Sequence, residues 1–168
     1  GDYALIVTDA AGHVVTQTVT ISEEEDLDAV APDVRLSADI FQPYWVRDQV
    51  TVTVSVYETG SAPAAFTYQL GNGAEQTGTL TADEEEEGLY EGTFIAEANG
   101  TYTVTVTDGS NVGEAAIVID NIDKTGPTIT VTRGDPADWT SGDVTVTFTV
   151  ADGGSGADAD SVQVTDGE

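Results

Sequence analysis

The chain has no cysteine and no methionine in 168 residues. Without cysteine there is no disulfide, no thiolate nucleophile and no sulfur-ligated metal, so packing alone must hold the fold. Position 1 is Gly rather than Met, which leads to the expectation of a processed product or a piece of a longer chain. Basic residues are almost as scarce: 4 Lys and Arg stand against 31 Asp and Glu, a formal net charge of -27. A chain this negative repels nucleic-acid phosphates and anionic membrane surfaces, so both are set aside as partners. No apolar run reaches the roughly 18 residues a spanning helix needs, and no charged-then-apolar leader precedes Gly1, so membrane insertion is not expected and export signals or anchors are expected outside this sequence. One His, at 13, and one Lys, at 124, are too few to supply a general base and an activated nucleophile, and no serine elbow accompanies them. The expectation is a non-catalytic protein. Carboxylate pairs argue neither way, because acids occur throughout.

What the chain does have is β-branched side chains and turns. Hydrophobic residues make up 39% and aromatics only 7%, so a core must come from many small side chains, which Val and Thr supply. Val50, Val52, Val54 and Val56 alternate with Thr51, Thr53 and Ser55, the period-2 signature of a strand with one dry face. The same alternation turns Tyr102, Val104 and Val106 inward. Seven strands are expected in the middle of the chain, near residues 34–36, 49–57, 65–70, 76–80, 89–95, 101–107 and 114–119. Gly- and Asp-rich turns such as GNG at 71–73 and ANG at 98–100 punctuate them, and no stretch of ten residues carries a 3.6-residue stripe. A helical layer is not expected.

Self-comparison finds two repeats. GDYALIVTDAAG at 1–12 matches GTYTVTVTDGSN at 100–111, pairing Tyr3 with Tyr102 and Asp9 with Asp108. Residues 45–70 match 139–164, with Trp45/Trp139, Val52/Val146, Gly60/Gly154, Ser61/Ser155 and Gln69/Gln163 identical, and Pro32 matches Pro127. One unit is therefore about 95 residues, the size of an immunoglobulin-type sandwich. The expected organisation is a C-terminal hairpin of a preceding module plus an acidic linker over 1–31, one complete module over 32–126, and the N-terminal half of a following module over 127–168. Its joints are the acidic, proline-ended segments 23–33 and 120–127.

The order NGTYTVTVTDGSN, NIDKTGPTITVT, WTSGDVTVTFTV resembles the bacterial immunoglobulin-like repeats strung along large cell-surface proteins and adhesins. The resemblance implies an all-β fold of tandem Greek-key sandwiches, one complete and two partial, without a disulfide. It also implies a stalk, spacer or adhesive role outside the cell, with adjacent modules of the same or neighbouring chains as partners and a host or cell-surface ligand in the adhesive case. Tyr102 looks like the tyrosine corner of such sandwiches, with Tyr3 repeating it. Trp45 and Trp139, ahead of the second strand of their units, and inward Val52 and Val104 complete the structural set. Antibody domains carry a Cys pair and a third-strand Trp, which this chain lacks.

Two binding candidates remain. Calcium favours several hard oxygens, and Asp120, Asn121 and Asp123 lie together in a joint, with Asp108 and Glu58 in turns. Against it stands a plain solvated linker in an acidic chain, the reading favoured here, so no cofactor is expected. Arg133, Gly134 and Asp135 form a tripeptide resembling integrin-binding loops, against which stands a simple turn. Lys124 falls in a polar linker rather than buried beside an acid, the setting a covalent Lys–Asn link requires. Head-to-tail strand complementation between copies, hairpin 1–21 of one completing 128–164 of the next, is a further alternative.

Overall fold

The structure is a computed structural model, and it describes residues 2–20, 29–134 and 139–165. Twelve strands carry the described chain: β1 (Asp2–Thr8), β2 (Val14–Thr20), β3 (Asp33–Ala38), β4 (Val50–Tyr57), β5 (Ala65–Leu70), β6 (Gln76–Thr79), β7 (Thr81–Ala82), β8 (Leu89–Ala96), β9 (Gly100–Thr107), β10 (Val112–Ile119), β11 (Thr128–Arg133) and β12 (Val146–Ala151). The described residues contain no α-helix, only one 3-10 turn at Ala159–Ser161. The fold is all-β and every strand pair is antiparallel.

Residues 33–119 build two four-stranded sheets, ordered β3-β4-β8-β7 and β10-β9-β5-β6. Their inner faces share one core. Val50, Val52, Val54 and Val56 from β4 meet Phe66 from β5 and Tyr102, Val104 and Val106 from β9, with Phe94 from β8 between them. The alternation of β4 is exact in outcome, every Val buried and every intervening residue half-exposed, because successive strand side chains point to opposite faces. Each fully buried Val or Phe stabilises by about 1.5–3 kcal/mol. The ion pairs found among the described residues, His13–Asp9 and Arg35–Asp33, are solvent-exposed, so solvent screening leaves them little weight beside that core. Tyr68 stacks on Phe94 at 4.3 Å between centroids, and Phe94 meets Tyr102 in a tilted arrangement at 5.5 Å.

Eight strands form this unit, not the seven expected. The strand expected near 76–80 is β6, which pairs with β5; the eighth strand is β7, just after it, which pairs with β8 in the opposite sheet. The crossing residue is Leu80, whose side chain enters the core and whose N–H donates to the Ala64 carbonyl at 3.0 Å. One buried apolar residue at the switch lets the backbone leave one ladder and join another without an orphaned donor.

The flanking segments are hairpins. β1 pairs with β2 alone and β11 with β12 alone. An aspartate caps both the β1–β2 turn over 9–13 and the shorter β9–β10 turn over 108–111. Asp9 accepts the N–H groups of Ala11 and His13, and Asp108 those of Ser110 and Asn111. Residues 159–164, the repeat counterpart of β5, form no strand: 159–161 are a 3-10 turn and 162–165 are irregular. In the middle unit the counterpart β5 has ladder partners on both sides, β6 and β9. No strand lies beside 155–165 among the described residues, and a lone strand leaves its backbone groups unpaired.

Candidate functional site at the joint after β10

Strand β10 ends at Ile119 and the chain continues as Asp120-Asn121-Ile122-Asp123-Lys124-Thr125. This segment is tied down residue by residue. Asn121 is 1% exposed, and its Nδ2 donates to the carbonyls of Ile40 at 3.1 Å and Tyr44 at 3.0 Å. Its backbone carbonyl accepts the Val46 N–H, and the Asp123 N–H donates back to the Val46 carbonyl, both at 2.9 Å. The result is a short parallel bridge between Val46 and Ile122. On the other side Asn99 grips Ile122 twice: its Nδ2 donates to the Ile122 carbonyl at 2.8 Å and its Oδ1 accepts the Ile122 N–H at 2.9 Å. An asparagine amide carries both a donor and an acceptor, so it can pair with both backbone groups of one residue as a neighbouring strand would.

Asp123 looks away from the sandwich. Its Oδ1 accepts the N–H and Oγ1–H of Thr125 at 3.0 and 2.7 Å. Its Oδ2 accepts the N–H of Ser155, in the loop after β12, at 2.6 Å. These donors favour the charged form. The Ser155 N–H first, then the Thr125 hydroxyl and N–H, hold the carboxyl far below the usual carboxylate range. Gly154 packs directly on this carboxylate, so a β-carbon there would overlap the Asp123 oxygens.

The three calcium candidates therefore do different things. Asn121 faces two carbonyl oxygens from within the fold, Asp123 takes up N–H and O–H donors, and Asp120 offers its backbone carbonyl to Gln42 Nε2 at 3.4 Å. Of the turn acids, Asp108 caps its hairpin, held below the usual range chiefly by the Asn111 N–H. Glu58 is 4% exposed, with Oε1 accepting the Gly60 N–H and Oε2 unpartnered. Among the described residues no three of His, Cys, Asp and Glu converge to hold a metal ion.

Arg133 is the last residue of β11, paired with Val146, and the Gly134 N–H donates to the Thr145 carbonyl at 2.8 Å. The first two residues of the tripeptide thus run along a strand pair; Asp135 lies outside the described residues. Val52 and Val104 are fully buried. Tyr102 closes a corner: its hydroxyl donates to the Ala98 carbonyl at 3.0 Å and accepts the Ala98 N–H at 3.3 Å. Tyr3 does not repeat that corner. It is 62% exposed on β1, opposite Val19, because among the described residues no second sheet covers the β1–β2 hairpin. Trp45 is 39% exposed at the edge of the joint and Trp139 is fully exposed. Lys124 and Trp45 line the same open cleft as Asn99 and Asp123.

The sequence marks ANG at 98–100 only as a turn, and nothing local in it shows Asn99 reaching residue 122. Ser155 is visible as a repeat of Ser61, but not as a partner of Asp123. No protein-family profile, curated protein or solved structure matches this chain.

Proposed function

We propose that the chain is a non-catalytic structural segment of an extracellular bacterial surface protein, in which immunoglobulin-like modules in series form a stalk or fibre. The observation that carries this reading is the strand order of residues 33–119. Named A, B, C, C′, D, E, F and G in chain order, the strands fall into sheets ABED and GFCC′, the partition of a Greek-key immunoglobulin-type sandwich with one added C′ strand. The sequence repeats then assign β1–β2 to the F–G hairpin of a preceding module and β11–β12 to the A–B hairpin of a following one. The net charge of -27 suits a long exposed molecule that must stay soluble. The test is surface labelling. An antibody raised against residues 32–126 labels intact cells of the source organism; labelling only after permeabilisation, or turnover of a hydrolase substrate abolished by one point substitution, overturns the reading.

A second reading has its own observation. Ile129, Val131 and Phe148 on β11–β12 are exposed, whereas the matching face of β3–β4 lies against the opposite sheet. Strand complementation by the β1–β2 hairpin of another copy would cover that face and make a head-to-tail filament. Light scattering decides: concentration-dependent growth supports the filament, and a strict monomer removes it.

A further inference from the structure

We infer that Asp123 is an inter-module latch: its carboxylate, anchored on the 32–126 sandwich, grips the loop after β12 and fixes the orientation of the β11–β12 unit. The inference rests on the reading of the chain as modules in series and specifies how consecutive modules are joined.

Three independent features meet at this residue. First, the segment carrying Asp123 is not a free linker. Asn99, Val46 and the buried Asn121 amide bind residues 121–123 to the sandwich through six hydrogen bonds of 2.8–3.1 Å. Any group hung on residue 123 therefore moves with residues 32–122. Second, the Asp123 carboxylate spans the joint. One oxygen holds Thr125, which sets the path of the chain towards Pro127, and the other holds the Ser155 N–H, 32 residues further on in sequence. Two anchor points on opposite sides of a joint remove the hinge that a single connecting strand would leave. Third, the gripped loop is shaped for the carboxylate. Gly154 leaves open the volume that Asp123 fills, and Asp152 folds the loop behind it by accepting the N–H groups of Gly154 and Gly156 at 3.1 and 2.9 Å.

The same residue types recur one unit earlier in the sequence. Asp28 precedes Pro32 by the spacing at which Asp123 precedes Pro127, and Gly60-Ser61 is the counterpart of Gly154-Ser155. A chance acid in an acidic chain has no reason to keep both the distance to proline and the matching Gly-Ser pair. The chemistry also differs from that of a cation-rigidified joint. The charge of Asp123 is balanced by N–H and O–H dipoles, the arrangement that keeps a carboxylate ionised without a counter-ion. Lys124 and Glu97 line the same cleft as Asp123, and the hydrogen bonds to the carboxylate come from Thr125 and Ser155. The joint is accordingly rigid at neutral pH with or without calcium.

Residual dipolar couplings on the full chain test this. In the unsubstituted protein, amides of 32–119 and of 128–151 fit one alignment tensor, equally in calcium and in chelator. Asp123→Ala removes the grip, and Gly154→Ala forces the loop off the carboxylate while leaving residue 123 intact; either splits the couplings into two tensors. Unchanged β4, β8 and β9 amide shifts establish that the sandwich stays folded in both variants. Two tensors in the unsubstituted chain, one tensor retained in Asp123→Ala, or a calcium-dependent change in the couplings each overturn the latch. Amides of 32–119 that fail to share a single tensor among themselves would instead overturn the modular reading beneath it.

Discussion

The Phe66 ring occupies the space in which a side chain on Gly78 would begin. The two residues are direct partners across β5 and β6, and a β-carbon on Gly78 would overlap the end of the ring. The ring edge reaches Gly92 on β8 of the other sheet as well, where an added β-carbon would lie 2.8 Å from it. One large aromatic is thus housed by two glycines, one from each layer. Gly78→Ala overpacks this site and is expected to destabilise the protein by about 1–3 kcal/mol. Phe66→Ala, which empties it, costs about 3–5 kcal/mol. The double substitution loses less than the sum, because the added methyl enters the vacated space. Urea denaturation of the four proteins measures the coupling, and strict additivity would contradict the contact.

Asn121 anchors the loop before β4. Asn121→Ala leaves the Ile40 and Tyr44 carbonyls without their donor, and the expected loss is about 1–3 kcal/mol. Asn121→Asp is worse than Ala, since it turns carboxylate oxygens toward two carbonyl oxygens in a buried position. Thermal midpoints in the order wild type, Ala, Asp check this; an Asp variant as stable as wild type contradicts it.

The two tyrosines matched by the repeat separate on substitution. Tyr102→Phe deletes the hydroxyl that donates to Ala98 and lowers stability by about 0.5–1.5 kcal/mol. Tyr3→Phe, on the exposed hairpin, leaves the transition of the sandwich unchanged. Equal effects from both would show that the exposed hairpin is not independent of the core.

Acid should act through a few capped carboxylates. Asp123, held by Ser155 and Thr125, Asp108, held by Asn111 and Ser110, and Asp9, held chiefly by the His13 side chain and backbone, all have carboxyls below the ordinary value. A carboxyl lowered in the folded state contributes stability that is complete above the unfolded value of about 3.9 and is lost as pH falls through the folded one. Urea midpoints are expected to stay level from neutral pH down to about pH 5 and to decline below about pH 4. Asp108→Asn shallows the decline. Midpoints that fall between neutral pH and about pH 5 would contradict this.

Much of the sandwich is legible in the sequence because its cause is local. The Val rows of β4 and the Tyr102-Val104-Val106 row of β9 follow from alternation alone, and the hairpin turns from Asp and Gly at fixed offsets. Leu80 is where local pattern fails: nothing in QTGTLTA says that the chain changes sheets at the one apolar residue, since the choice depends on which ladder has a free edge. Residues 159–164, which repeat β5 in sequence, form no strand for the complementary reason: no described strand lies beside them. At the joint, the sequence marks Asp123 as an oxygen donor but not its partners. Asn99 and Ser155 reach residues 122 and 123 only through the tertiary fold, and the local sequence carries no trace of that pairing.

The central claim is that residues 32–126 are one self-sufficient two-sheet module. Expressing residues 29–126 alone and following urea unfolding by far-ultraviolet circular dichroism and by Trp45 fluorescence tests it most directly. The account predicts one cooperative transition with coincident midpoints by the two probes. A gradual, non-cooperative change, or midpoints that differ between the probes, would contradict it.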